Sequence, residues 1–154
     1  MKKGLLNAFF SFLILSILVI GVSWYFVYNE VLIGPIFIFL GVINLLFLKF
    51  FNLKLESVAP DMVFGAIDNG ILVFFAVAGG HIAGIAGAVI GGAAGNTITD
   101  GIGGLFEGHV AEGMRNKKVN EKRTALSTTL GKMAGCLFGA GTALIIVWAI
   151  RNIL

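Results

Sequence analysis

Gly95-Asn96-Thr97-Ile98-Thr99-Asp100-Gly101 is the stretch on which the fold turns. It sits in the middle of a long run that carries no other formal charge. An earlier apolar run is interrupted in the same way, at Phe64-Gly65-Ala66-Ile67-Asp68-Asn69. An acid at mid-bilayer costs about 2.5–3.5 kcal/mol even on insertion-based scales. Two such acids, each with an asparagine beside it or one turn away, need a reason, and the usual reason is an ion or proton path.

The composition makes the bilayer the relevant solvent. Of 154 residues, 58% are hydrophobic and 12% charged, where a soluble domain carries about a quarter charged residues. The single cysteine, Cys136, excludes an intramolecular disulfide and a cysteine-based metal cluster. His81 and His109 have no metal-ligand spacing. The net charge of +3 is a topology signal and does not point to nucleic acid. The first apolar run outlasts a signal-peptide core and ends in Ser23-Trp24-Tyr25-Phe26, without a small-residue cleavage site, so it reads as a retained helix.

Windows of about 20 apolar residues give an all-α polytopic bundle of five spans, near 5–27, 31–53, 62–80, 82–110 and 131–150. The short link Tyr28-Asn29-Glu30 predicts a tight antiparallel hairpin. Lys54 to Asp61, ending in Ala59-Pro60-Asp61, reads as a loop, and Gly79-Gly80-His81 as a tight turn. In this arrangement Lys2, Lys3, Lys49, Lys54, Arg115, Lys117, Lys118, Lys122 and Arg123 share one side, and Arg151 falls opposite. The bias places the N-terminus in the cytoplasm and the C-terminus outside.

The chain changes character near residue 60. Of 22 glycines, 18 lie between Gly65 and Gly141, and close helix packing in lipid relies on small residues. The expected organisation is an N-terminal transmembrane hairpin over 1–57 and a glycine-rich core of three transmembrane helices over 58–154. Small or polar residues recur at every fourth position through Gly84, Ala88, Gly92, Asn96, Asp100, Gly104, Gly108 and Glu112. Four residues turn a helix by about 400°, so the row winds slowly round it. Glu107 returns to the Asn96 direction within about 20°.

Asp68, Asn69, Asn96, Thr99, Asp100, Glu107 and Thr128 are the candidate cation-binding residues, with Asp68, Asp100 and Asn96 as the metal ligands. All are hard oxygen donors, suited to Ca²⁺, Mg²⁺, Mn²⁺ or Na⁺ rather than soft metals. Bland readings stand beside these. The two aspartates would serve as interhelical hydrogen-bond partners and the asparagines as interhelical glue. Glu107 would be solvated near the interface, with His81 a turn residue and His109 an interface residue. Gly101-x-Gly103-Gly104 follows no strand and is not a dinucleotide loop. No catalytic constellation emerges, so no enzymatic activity is expected.

Phe64-Gly65…Asp68-Asn69, Gly95-Asn96-x-x-Thr99-Asp100-x-x-Gly103 and Leu126-Ser127-Thr128-x-Leu130-Gly131-Lys132-x-x-Gly135 occur in that order. Together they resemble the transmembrane protein 65 family, over residues 62–145. The hairpin 1–53 lies outside the resemblance, and residues 108–114 align poorly with it. The family's animal member resides in the mitochondrial inner membrane and is implicated in sodium-dependent calcium efflux. The resemblance thus implies sodium-coupled calcium exchange, with Ca²⁺ and Na⁺ as transported ions and no permanently bound cofactor. A passive Mg²⁺/Ca²⁺ pathway and a non-transporting scaffold or regulator are the alternatives.

No Arg- and Ser-rich presequence precedes the first span, which points to a prokaryotic cytoplasmic membrane. Three core helices are few for an alternating-access path, so a homodimer or higher homo-oligomer is expected. The other partners are the lipid bilayer and inorganic cations.

Overall fold

The computed structural model describes residues 2–28, 32–117 and 124–153, with side chains over 4–25, 32–105 and 124–151. Every regular element is helical: α1 (Lys2–Tyr28), α2 (Gly34–Phe50), α3 (Leu55–Lys117) and α4 (Ala125–Ile153). Three helices are long and apolar enough to cross a membrane, over Gly4–Tyr25, Leu55–Leu105 and Ala125–Arg151. α2 is shorter, at 17 residues.

α3 is not one rod. Ala83 (φ −135°, ψ 24°) and Gly84 (φ 61°, ψ −143°) leave the helical region, and the chain folds back there. Only glycine tolerates the Gly84 conformation without strain, which puts the turn at 83–84 rather than at Gly79-Gly80-His81. Gly79 stays helical because it packs against Gly87 of the returning arm, where a Cβ would collide with the carbonyl. Gly91 lies on Phe75, Gly95 on Leu72, and Gly103 on Phe64. These pairs define an antiparallel hairpin of arms 55–82 and 85–117.

The start of α3 departs from expectation. Residues 55–61 are helical, although Pro60 lies among them and removes the bond its N–H would give the Glu56 carbonyl. Packing outweighs that loss, because Val58 and Asp61 are buried against Gly131 of α4. α4 likewise begins at Ala125, six residues before the expected start. Thr124 caps it reciprocally with Ser127: Ser127 N donates to Thr124 Oγ1 (3.1 Å) and Thr124 N to Ser127 Oγ (3.0 Å). α2 stops in a Schellman turn. Asn52 takes φ 53°, its N–H donates to Lys49 O, and Leu53 N–H donates to Leu48 O.

α4 is the hub of the bundle. Gly131, Gly135 and Gly139 meet Val58, Met62 and Ala66 in turn, so α4 runs parallel to arm 55–82. Gly41 of α2 meets Phe138, and Gly34 meets Gly141 and Ile145, so α2 runs antiparallel to α4. α1 also packs on α4 and touches α2 only slightly. The first two helices therefore do not form the self-packed hairpin expected from their short link. Their bulky side chains find a closer fit on the small-residue face of α4 than on each other. The starts of α1, α3 and α4 lie at one end, with Lys49 and Lys54, and Arg151 lies at the other.

Candidate cation site

The α3 hairpin register sets the centre of the site. Asp68 and Thr99 meet across the arms, with Thr99 Oγ1 donating to Asp68 Oδ1 at 2.5 Å. Thr99 is fully buried and Asp68 half-buried. The Thr99 hydroxyl also lies 3.1 Å from Gly95 O and 3.0 Å from Asn96 O. It has one proton to give, so the carboxylate and the two carbonyls compete for it.

One residue on, Asp100 points outward and is exposed on the flank of the hairpin. Asn96 Nδ2 donates to Asp100 Oδ2 at 3.0 Å, bridging one helical turn as the i, i+4 spacing allows. That bond leaves the Asn96 carbonyl oxygen as a potential metal donor. Asp100 lies about 24 Å along the arm from the turn at Gly84, at 1.5 Å per residue. The two carboxylates thus occupy one level, one inside the hairpin and one on its outer face.

The remaining candidates spread out. Asn69 lines a different cavity with Ser16, Phe37, Lys132 and Cys136, on the side facing α1, α2 and α4. Thr128 is eleven residues before Gly139, which stands near the Asp68 level, so it lies about 16 Å away along α4. It does not close the site as expected, because it stands in the first turn of α4, several turns short of the Asp68 level. Glu107 belongs to α3, but its side chain lies outside the described residues, as do those of His109 and Glu112. Among the described residues no three His, Cys, Asp or Glu side chains converge.

Sequence reasoning missed a second buried polar layer. Asp61, read as a loop residue, is only 1% exposed. Asn44 of α2 is fully buried and its Nδ2 donates to Leu130 O of α4 at 3.2 Å. Its Oδ1 accepts no hydrogen bond among the described residues. Two signals were available: Asn44 is the only polar side chain between Gly34 and Leu48, and Asp61 lies seven residues, or two turns, before Asp68 on the same helix face. Lys132 places its ammonium over the Phe64 ring, 4.9 Å from the centroid.

Comparison of the chain with models of protein families, with curated proteins and with solved structures gives no match.

Proposed function

We propose that this chain is a membrane cation transporter of the transmembrane protein 65 family, exchanging sodium for calcium at the Asp68/Asp100 level. The observation that carries the reading is the pairing of two carboxylates at one height in an apolar hairpin. Each already has a short polar partner, Thr99 for Asp68 and Asn96 for Asp100. Carboxylate, hydroxyl and carboxamide oxygens suit hard cations such as Ca²⁺ and Na⁺. In this reading α1, α2, both α3 arms and α4 each cross the bilayer. The basic end faces the cytoplasm, of prokaryotic type. At 17 residues, α2 is about 25 Å long, which sits at the short end of the spanning range.

The proposal includes a homodimer. An exposed carboxylate at mid-membrane is expensive against lipid, and a second copy laid on the outer face of arm 85–117 would cover it. Among the described residues, a Cβ added at Gly101 or Gly104 on that arm would meet nothing within 4 Å, which leaves room for close approach. Residues 1–57 and the core 58–154 then act as accessory and transport units.

A second reading has an observation of its own. The Thr99–Asp68 bond is the kind of interhelical tie that a non-transporting scaffold needs. Proteoliposomes decide between them. Sodium-gradient-dependent ⁴⁵Ca flux that vanishes in Asp100→Asn, with helix content retained, supports exchange. Flux indifferent to sodium favours a passive divalent pathway, and no flux in any gradient favours the scaffold.

A further inference from the structure

At the turn end of the hairpin, arm 55–82 and α4 part to leave a cavity of about 930 Å³. Its walls include Phe74, Val77, Val147 and Ile150, and its rim holds His81 and Arg151. We infer that this cavity binds an anionic phospholipid, its acyl chain against the apolar wall and its phosphate on Arg151 and His81.

Depth is the first argument. Asp68 lies midway along arm 55–82, and Gly139 stands near the same level on α4. Counting from that plane at 1.5 Å per residue, Phe74 is about 9 Å and Val147 about 12 Å away. His81 is about 20 Å and Arg151 about 18 Å away. The hydrocarbon half-thickness is about 15 Å. The apolar wall therefore lies within the acyl-chain layer, and both rim groups lie in the headgroup layer. Charge is the second argument. No Asp or Glu occurs in 71–99 or 133–154, the segments that line the cavity, so its described lining carries positive charge only. A planar guanidinium takes two phosphate oxygens at once, and an imidazole N–H takes a third. His81 and Arg151 are both exposed, so a headgroup reaches them from the bilayer. A volume near 930 Å³ accommodates a chain segment of lipid rather than a single small anion.

The inference rests on the chain crossing the bilayer and is independent of what it transports. Its test reads lipid directly and needs no flux. The full-length protein, purified in mild detergent, is mixed with phosphatidylglycerol or phosphatidylcholine, and retained lipid is counted by native mass spectrometry. Phosphatidylglycerol is expected to be retained preferentially, with Arg151→Gln lowering its retention about fivefold and Arg151→Lys restoring part of it. Val77→Trp, which narrows the apolar wall, is expected to weaken retention of the lipid with Arg151 intact. Equal retention of the two lipids, or retention unchanged by Arg151→Gln and Val77→Trp together, overturns the inference. So does full competition by millimolar inorganic phosphate, which would mean that the rim recognises a free anion.

Discussion

Asp68 and Asp100 are the same residue type at the same height, yet one lies between the α3 arms and the other on their outer flank. Their neighbours differ accordingly. Asp68 accepts from a fully buried threonine of the opposite arm, whereas Asp100 is held by an asparagine of its own helix and is otherwise exposed. The inner acid is organised by the fold of one chain. The outer acid is bonded by Asn96, and on the proposed reading a cation, a second copy, or both would cover it. Thr99 and Asp100 are adjacent, and the step of about 100° between them turns one side chain into the hairpin and the next away from it.

The largest expected effect falls on transport. Asp68→Asn and Asp100→Asn are each expected to bring sodium-dependent ⁴⁵Ca flux to background, since each removes one of the two negative charges at that level. A chain in which only one of them matters would break the pairing.

The next effect separates the inner and outer glycines. A Cβ on Gly135 would run into the Met62 backbone, while one on Gly101 meets nothing within 4 Å. Gly135→Val is therefore expected to destabilise the bundle by about 1–3 kcal/mol, read as a lower unfolding midpoint in detergent. Gly101→Val should leave that midpoint unchanged and instead weaken self-association, read by light scattering after size exclusion. A Gly101→Val protein with unaltered mass in solution would remove the outer face as the dimer contact.

Much of this architecture was legible. Hydropathy located the helices, and the small-residue bias after residue 60 marked the segments that pack closely. Helix rise puts residues 68 and 100 at similar depth if their two helices pack antiparallel, and the arms do. What was not legible depended on tertiary choices. Gly79-Gly80 had the stronger turn composition, but both are used for packing, so the reversal fell on Gly84. Pro60 signalled a loop, yet burial of Val58 and Asp61 extended the helix through it. Thr128 sat in the right motif, but a motif match does not give depth, and the register of α4 on arm 55–82 leaves Thr128 near the basic end.

A smaller effect tests the inner pair by itself. Thr99→Val keeps the shape and removes the donor to Asp68. Interhelical hydrogen bonds in membranes are worth about 0.6–1.7 kcal/mol, so the unfolding midpoint should fall modestly. Thr99→Ser should restore it, since the hydroxyl remains. If Thr99→Val loses flux while Thr99→Ser keeps it, and both remain folded, the hydroxyl orients the carboxylate for the ion. If Thr99→Val lowers stability and leaves flux intact, the bond is a strut and the scaffold reading gains.

The smallest expected effect is the control that fixes the boundary of the site. Thr128 belongs to the same motif as Ser127 and Gly131 but stands about 16 Å from the Asp68 level. Thr128→Val should change stability by no more than about 0.5 kcal/mol and should leave sodium-dependent flux as it was. The neighbouring Ser127→Ala, which breaks the reciprocal cap with Thr124, should cost about 1 kcal/mol without altering ion selectivity. A flux defect in Thr128→Val with stability intact would mean that the cation passes the start of α4 on its way. The path would then run from Asp68 past the Asp61 layer toward the basic end, and the outer face of arm 85–117 would no longer be its route.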